Sequence, residues 1–294
     1  MISLLKRIAI PFITLLVLVS AISANAGPFK NLFGNDSGGF DLGKLAKTIK
    51  TAKEAFGEVT EEDEIKVGEE AAAVLLGAVP LVNNDPVQKY LNRVGQWVAL
   101  NTERGHLPWK FGLLESDDIN AFAAPGGYVF VTKGLMMQMK SEAELASTVA
   151  HEVVHVLEKH HLDAVRKGAK MELAISMMGS NSNEEKREKL QRISSGFKEL
   201  YSRGLDKADE YQADRMGLVI ATRAGYDPYG LPAVLQTLEG MNPQSQSLAL
   251  MFKTHPTPTQ RLGLLAQYYH YIEPFAEQAQ VTKRFEKYLA MLKR

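Results

Sequence analysis

The sequence predicts an α+β domain that is mostly helical, with a small sheet beside one long helix. Apolar residues recur at helical spacing in several stretches, of which residues 141–161 are the most informative. Residues 109–114 and 128–132 are instead short stretches with β-branched and aromatic residues, as expected of strands. The chain has 294 residues, 45% of them hydrophobic, which is enough for one domain with a sizeable core.

Composition excludes several kinds of site. The 34 basic and 34 acidic residues balance, so nothing indicates a nucleic-acid partner. Cysteine is absent, which excludes disulfides, thiolate metal ligands and a lipidated N-terminal cysteine. A metal site in this chain must therefore be built from histidine and carboxylate side chains.

Residues 1–26 predict a secretory signal peptide. Lys6 and Arg7 form a short basic region, residues 8–19 are almost wholly apolar, and Ala24-Asn25-Ala26 is a small-x-small cleavage site. Because this apolar stretch is shorter than the roughly 20 residues that span a bilayer, we expect cleavage, with an uncleaved anchor as the alternative. No later stretch is apolar for long enough to cross a membrane, so no spanning segment is expected after cleavage.

The rest of the chain divides into a leader, residues 27–60, with one predicted packing helix, and a main domain, residues 61–294. Two helices are expected at the start of the main domain, separated by the turn Asn83-Asn84-Asp85-Pro86, which supplies an N-cap. Apolar periodicity predicts the leader helix at residues 42–56 and further helices at residues 162–178, 184–201, 205–224 and 262–294.

Residues 141–161 predict one uninterrupted helix. Ser141 followed by Glu144 is a capping box, which marks a helix start, and neither Pro nor Gly occurs in the stretch. His160 and His161 extend the end of this predicted helix. The helix dipole favours cations there, so these two histidines are not counted as metal ligands.

The same helix carries the pattern H-E-x-x-H. His151 and His155 are four residues apart and therefore lie on one face, where both imidazoles can bind one zinc ion. Glu152, next to His151, can reach a zinc-bound water and act as general base. This spacing indicates a catalytic zinc site, and a surface helix with incidental histidines is the alternative.

A catalytic zinc takes three protein ligands and a water, so the two histidines need a partner. Glu210 and Asp214 share one helix face in residues 205–224. Glu210 is the candidate ligand, and Asp214 can accept the outer N–H of a zinc-bound histidine. Asp206 and Asp209 are also acidic, so spacing alone does not decide, and exposed acids on an amphipathic helix are the alternative.

His255 lies in a proline-bounded turn before another predicted helix. From a loop it can stabilise the oxyanion of a tetrahedral intermediate, fill the open position of zinc in a resting state, or be purely structural. Arg261, six residues later, is placed to pair with Asp214 or another buried acid.

Residues 117–127 connect the two predicted strands. An edge strand beside a zinc-binding helix can pair with an extended substrate through backbone hydrogen bonds. This predicts a substrate-binding role for residues in this segment, and a plain hairpin is the alternative. The candidates are Asn120, Ala121, Phe122, Ala123, Gly126 and Gly127.

Four motifs in this order resemble one zinc metallopeptidase family. They are NAFAAPGGYVFVTKGL, HEVVH, EYQAD with the Gly217 that follows it, and THPTPTQR. The family includes the CAAX prenyl endopeptidases and the HtpX-type proteases, and the chain most resembles its periplasmic BepA-like and LoiP-like bacterial branch. The resemblance covers roughly residues 61–269.

The resemblance implies a gluzincin fold and one Zn²⁺ per chain. It implies His151, His155 and Glu210 as ligands and Glu152 as the catalytic glutamate. It further implies a functional pair, His255 and Arg261, in the C-terminal loop and Asp214 as the acid of an E-x-x-x-D pattern.

We therefore expect a periplasmic zinc endopeptidase that cuts extended or misfolded envelope proteins in quality control. Envelope assembly machinery is a candidate partner. Membrane-embedded relatives have several spanning helices, which this chain lacks, and BepA-like members carry a repeat array, for which the 33 residues after Arg261 are too few. The alternative function is a periplasmic chaperone or scaffold whose zinc site is structural or latched by His255.

Overall fold

The computed structural model describes residues 60–164 and 204–293, which form a mostly helical α+β structure with one small sheet. The predicted fold class is confirmed. In chain order the elements are α1 (Glu61–Ala78), α2 (Asp85–Leu100), β1 (Lys110–Leu114), β2 (Ala121–Ala124), β3 (Tyr128–Thr132), α3 (Lys133–Met136), α4 (Glu142–Leu157), α5 (Lys207–Arg223), α6 (Gly230–Glu239), α7 (Ala249–Thr254), α8 (Pro258–Leu265), α9 (Tyr269–Ile272) and α10 (Thr282–Leu292). Three short 3-10 turns accompany α7 to α9, at Gln246–Leu248, Ala266–Tyr268 and Glu273–Phe275.

Several predictions concern residues outside these ranges. They are the signal peptide, the leader with its packing helix, the helix at residues 184–201 and most of the helix at residues 162–178. Among the helices that the structure describes, none combines the length and apolar character needed to cross a membrane. The predicted helical tail at residues 262–294 is interrupted, because Val281 adopts a left-handed φ of 52° directly before α10.

The sheet has the strand order β1-β3-β2, in which β1 is parallel and β2 antiparallel to the central strand β3. The connecting segment between the two predicted strands therefore supplies a third strand. Gly126 and Gly127 turn the chain between β2 and β3 with φ values of 73° and 106°. A side chain at Gly126 would lie 2.5 Å from the Cα of Ile65 in α1, so glycine is required there for close packing as well.

Helices cover both faces of the sheet. Phe122 and Phe130 point to α1 and pack with its apolar residues. Ala123, Val129 and Val131 lie in the main core, which also contains the buried side of α4. Because side chains alternate across a strand, each face of this short sheet is apolar and buried, as expected when helices lie on both sides.

Side-chain amides of α2 close the outer edge of β1. Gln88 Oε1 accepts a hydrogen bond from Leu113 N at 2.9 Å, and Gln88 Nε2 donates to Leu113 O at 2.9 Å. One turn later Asn92 makes the same pair of bonds with the backbone of Phe111. These amides occupy backbone groups that would otherwise need a further strand.

Helix α4 lies at the centre of the molecule and is buried from residue 142 to residue 156. Ser141 Oγ accepts a hydrogen bond from Glu144 N at 3.2 Å, as the capping pattern predicted. The Glu144 carboxylate accepts from Lys140 N at 3.0 Å and so satisfies a further amide before the first turn.

The predicted end of this helix, at residue 161, is wrong. Helix α4 ends at Leu157, Lys159 adopts a left-handed φ of 57°, and helical backbone resumes only at His160. A contact with another helix stabilises this break, because Lys159 Nζ lies 3.1 Å from Oε2 of the buried Glu64 in α1. Helical periodicity contains no information on this tertiary ion pair.

Helix α5 packs closely along α4. Its bounds, Lys207–Arg223, agree with the prediction for residues 205–224. At the crossing, a Cβ on Gly217 would lie 2.9 Å from His151 N and 3.0 Å from His151 Cα. A glycine at this position therefore lets the two backbones approach, which brings Glu210 and Asp214 to the histidines of α4.

Candidate metal centre

His151 and His155 point their ring nitrogens at one point in the interior. The two side chains are buried, and their Nε2 atoms are 3.1 Å apart. Glu210 approaches from α5, with Oε2 3.6 Å from His151 Nε2 and Oε1 3.6 Å from His155 Nε2. His255 Nε2 lies 3.6 Å from Glu210 Oε2, so four donor groups lie within 4.8 Å of one another.

This arrangement fits a tetrahedral metal ion. Ligand atoms at about 2.0–2.1 Å from a tetrahedral zinc are about 3.3 Å from one another. The distances between donor atoms, 3.1 Å and 3.6 Å, lie on either side of that value. In addition, Glu210 Oε2 is buried without a hydrogen-bond partner among the described residues, and a metal ion is one ligand that satisfies such an oxygen.

The charge states of most of these side chains suit metal binding. Burial lowers the pKa of His155 well below its usual value and that of His255 to about 4, so both rings are neutral and offer a lone pair. Burial acts against ionisation of Glu210, but His255 and His151 outweigh it and lower the pKa of this carboxyl. Burial and Arg261 oppose protonation of His151, yet the neighbouring carboxylates of Asp214 and Glu210 raise its pKa to about 9.

Asp214 and Arg261 hold His151 in place. Asp214 Oδ1 lies 2.9 Å from His151 Nδ1, the ring nitrogen that faces away from the donor cluster. Arg261 from α8 binds the same carboxylate through Nε at 2.9 Å and a terminal nitrogen at 2.6 Å. In the neutral ring, a hydrogen bond from Nδ1–H to Asp214 leaves Nε2 unprotonated, which is the tautomer that a metal needs.

His155 has an outer partner that the sequence did not predict. Nδ1 of His160 lies 2.9 Å from Nδ1 of His155, and both rings are buried. With Nε2 of His155 directed to the donor cluster, its Nδ1–H donates to His160. His160 is not among the four clustered donors, but it contacts one of them. Asp209, an alternative ligand in the sequence, lies 3.9 Å from His160 Nε2.

Glu152 is the acid–base candidate of the site. Its side chain is buried and lines the cavity beside His151. Burial raises the pKa of this carboxyl to about 7, whereas the pKa of Glu210 is lowered. Two neighbouring carboxyl groups thus differ in affinity for a proton, as expected of a base that exchanges a proton and a ligand that stays ionised.

His255 comes from the short connection between α7 and α8. Thr254 Oγ1 lies 2.9 Å from its Nδ1, and Thr257 begins α8 by accepting a hydrogen bond from Gln260 N at 3.4 Å. This connection therefore places His255 in the donor cluster and Arg261, on the following helix, beside Asp214. The geometry fits two of the three roles left open by the sequence, a fourth ligand and a side chain for the oxyanion.

The predicted substrate segment divides in two. Asn120 and Ala121 line the cavity beside Glu152. Ala123 lies in the main core, and Phe122 belongs to the cluster under α1. Gly126 N donates to Glu64 Oε1 at 3.2 Å and Gly127 O accepts from Lys110 N at 2.8 Å, which places both glycines in the turn packed against α1 and β1. A direct role in binding substrate stays a prediction for all six residues.

An apolar cavity adjoins the donor cluster. The polar residues that line it are Asn120, Thr148, His151, Glu152, His255 and Arg261. Its apolar lining, apart from Ala121, is formed by side chains of α3, α6 and α7. These are Leu135, Leu231, Val234, Leu235, Leu238 and Met251.

Known proteins match this chain over the same region. The sequence profile of peptidase family M48 matches residues 86–268. The beta-barrel assembly-enhancing protease of Escherichia coli K12 is 28% identical over 207 residues, covering 68% of this chain and 42% of the relative. The mitochondrial metalloendopeptidase OMA1 of Arabidopsis thaliana is 28% identical over 185 residues, covering 62% of this chain and 36% of the relative. The chain thus spans less than half the length of these relatives.

Proposed function

Because this chain belongs to peptidase family M48, we propose that it is a zinc endopeptidase that hydrolyses peptide bonds in extended or misfolded proteins. The main support is the buried donor set His151, His155 and Glu210 beside Glu152, a carboxyl whose pKa is raised to about 7. Histidine nitrogen and carboxylate oxygen at tetrahedral spacing suit zinc among the common divalent metals. The names of the relatives, a protease and metalloendopeptidases, support hydrolysis over a chaperone role.

We place the protein in the periplasm, with misfolded envelope proteins as substrates. The predicted signal peptide supports export, and the name of the Escherichia coli relative refers to beta-barrel assembly. By that likeness, envelope assembly machinery is a proposed partner. Expression of the full chain followed by cell fractionation tests the compartment, and recovery in the cytoplasm contradicts it.

Zinc, when bound, supplies a Lewis acid and lowers the pKa of a coordinated water towards about 7. In the proposed reaction, Glu152 accepts a proton from the attacking water and donates it to the nitrogen of the leaving amine. A carboxyl with a pKa of about 7 is suited to both transfers at neutral pH. Asp214 and His160 keep the rings of His151 and His155 oriented.

The substrate is proposed to lie extended beside β2, with its backbone close to Asn120. This residue is held by its own backbone, since Asn120 N donates to Thr132 Oγ1 at 3.1 Å and Asn120 O accepts from Thr132 N at 3.0 Å. Its side chain is therefore presented at the cavity by a fixed strand end. A rigid support of this kind favours accurate placement of a bound peptide.

A latched form of the same site is the second candidate. The observation that favours it is the position of His255, which completes four donors within 4.8 Å. Four protein ligands close a zinc site, whereas a catalytic zinc keeps one position open. If His255 latches the site, His255→Ala increases proteolysis, and if it stabilises the oxyanion, the same change lowers proteolysis by about 10²–10³-fold.

The test is a parallel measurement of zinc content and casein cleavage on purified protein, with Glu152→Gln as control. We expect one zinc per chain in both proteins and a rate for Glu152→Gln lower by about 10²–10⁴-fold. Equal cleavage by the two proteins contradicts the role of Glu152. Protein that binds zinc but cleaves nothing, even with His255→Ala, contradicts the peptidase function and favours the chaperone alternative.

A further inference from the structure

We propose that Glu64 is a positioning residue for the metal centre, although it lies in α1, which supplies none of the four clustered donors. Its carboxylate fixes Lys159, which stabilises the break after α4, and this break places His160 against the proposed ligand His155. The inference rests on the proposed zinc site and adds to it a residue, remote from the donors, on which the affinity for zinc depends.

The carboxylate of Glu64 is fully buried and binds groups from three other parts of the molecule. Arg104, from the connection between α2 and β1, donates to it through both terminal nitrogens at 2.9 Å and 3.0 Å. Lys159 Nζ lies 3.1 Å from Oε2, and Gly126 N, in the turn between β2 and β3, donates to Oε1 at 3.2 Å. Because each oxygen has two partners, the carboxylate is held in one position, and it defines where Lys159 Nζ lies.

The backbone of Lys159 requires stabilising contacts. A φ of 57° is disfavoured for a residue with a Cβ, and such conformations persist where the surrounding contacts outweigh their cost. The ion pair with Glu64 is one such contact. A second is indirect, because Arg104 donates to Val156 O at 3.2 Å, and the same carbonyl accepts from Lys159 N at 3.2 Å. Removing the charge of Glu64 therefore removes the anion that holds both cations at the end of α4.

The break determines where His160 lies. On an unbroken helix His160 would face away from His155. With Lys159 in the left-handed conformation, Nδ1 of His160 instead lies 2.9 Å from Nδ1 of His155, and both rings are buried. His160 then accepts the Nδ1–H of His155, which orients that ring with Nε2 towards the donor cluster. A change at Glu64 is therefore expected to reach the centre through Lys159 and His160.

The experiment is a double-mutant cycle on the full chain, in which zinc affinity is measured by competition with a chromophoric chelator. Glu64→Gln, which keeps the size of the side chain but removes its charge, is combined with His160→Ala. Alone, Glu64→Gln is expected to weaken zinc binding by about 10-fold, the lower end of the range for losing an outer partner of a ligand. In the His160→Ala background it is expected to weaken binding by less than about 2-fold, because the residue through which it acts is already absent. The same factor in both backgrounds, as expected if Glu64 affects only the stability of the fold, overturns the inference.

A matched pair of variants at Lys159 tests the connecting residue and does not depend on how Glu64→Gln folds. Lys159→Arg keeps the cation and Lys159→Met removes it, whereas both keep an unbranched side chain on the same strained backbone. We expect zinc binding to be weakened by about 10-fold in Lys159→Met and to stay within about 2-fold of wild type in Lys159→Arg. Equal zinc affinities in the two variants overturn the inference.

Glu61→Gln is the control in α1. Glu61 also pairs with Arg104, at 3.2 Å, but its other partner is the exposed His106 at 3.1 Å rather than Lys159. Its zinc affinity is expected to stay within about 2-fold of wild type, and a loss equal to that of Glu64→Gln overturns the inference. If the wild type binds zinc and all variants bind it equally well, the inference alone fails. If the wild type binds no zinc, the proposed function fails and the inference fails with it.

Discussion

Two buried carboxylates, Glu142 in α4 and Glu210 in α5, lie near opposite ends of α4 in contrasting environments. At the N-terminal end, Glu142 accepts hydrogen bonds from Tyr90 Oη at 2.8 Å, Tyr226 Oη at 2.9 Å and Arg284 Nε at 2.6 Å, with a second bond from Arg284. Near the other end, Glu210 Oε2 has no hydrogen-bond partner among the described residues. Both carboxyl groups are almost fully buried, so exposure to water does not account for the difference.

The contrast separates structure from function. The cluster around Glu142 joins α2, α4, α10 and the segment after α5 with every strong acceptor occupied, and the ring of Tyr90 stacks on Tyr288 at 4.1 Å. A buried polar group without a hydrogen-bond partner destabilises the fold. Its presence in a native structure is explained when a ligand satisfies it. Glu210 and Asn120 are such groups, and both face the candidate centre or its cavity.

The largest effect is expected from Glu142→Ala. The change removes one side of a buried network, for which losses of about 3–5 kcal/mol are usual. We expect about 3 kcal/mol, because Arg284 is half exposed and returns to water, whereas the two tyrosine hydroxyls stay buried. Urea unfolding measures the loss, with Glu115→Ala, which removes the partly exposed ion pair of Glu115 with Lys133, as control at less than about 1 kcal/mol. A loss of less than about 1 kcal/mol for Glu142→Ala removes the distinction between the two ends.

Glu210→Gln tests the other side of the comparison. The variant is expected to weaken zinc binding by more than about 100-fold, because losing only an outer partner of a ligand costs at most about that much. The stability of the metal-free protein is expected to change little. Competition with a chromophoric chelator measures the affinity, and the exposed Glu103→Gln serves as control. Unchanged affinity together with strong destabilisation would make Glu210 a structural residue like Glu142.

His160→Ala examines an outer contact of the centre. Loss of the acceptor for His155 Nδ1–H is expected to lower zinc affinity by about 10–100-fold. His160→Gln keeps an acceptor oxygen and should restore most of the affinity, which a simple packing role would not explain. The exposed His106→Ala is the matched control in the same titration. Equal losses in the alanine and glutamine variants contradict the proposed hydrogen bond.

The smallest change in the free energy of unfolding is expected from Tyr90→Phe, and this change depends on pH. Burial, followed by the neighbouring Glu142, raises the pKa of Tyr90 well above its usual value. The native state therefore keeps the phenol proton above pH 10, where the unfolded chain releases it, and stability falls by about 1.4 kcal/mol per pH unit for this group. At neutral pH the variant is expected to be less stable by about 1 kcal/mol.

Above pH 10 the difference in unfolding free energy between wild type and Tyr90→Phe should therefore shrink. Urea unfolding at pH 9, 10 and 11 measures it. A difference that stays constant over this range would show that Tyr90 ionises equally in the native and unfolded states.

Sequence spacing predicted much of the centre but not all of it. The interval between His151 and His155 places both on one face of any helix, so their convergence required no tertiary information. His160 could not be found in this way. Five residues after His155 it would point about 140° away on an unbroken helix. It reaches His155 because Lys159 leaves the helical conformation and pairs with Glu64.

The sequence by itself determined the mostly helical class, strands β1 and β3, the capped start of α4 and the pair of histidines with Glu152. These features follow from local periodicity and from the types and spacing of residues within a single helix or strand. The tertiary structure alone decided which acid of α5 joins the histidines, that His255 completes the donor set, and that Leu135, Val234 and Met251 form one cavity wall. Such groupings depend on how separate elements pack, and the close approach of α5 at Gly217 is one contact that fixes them.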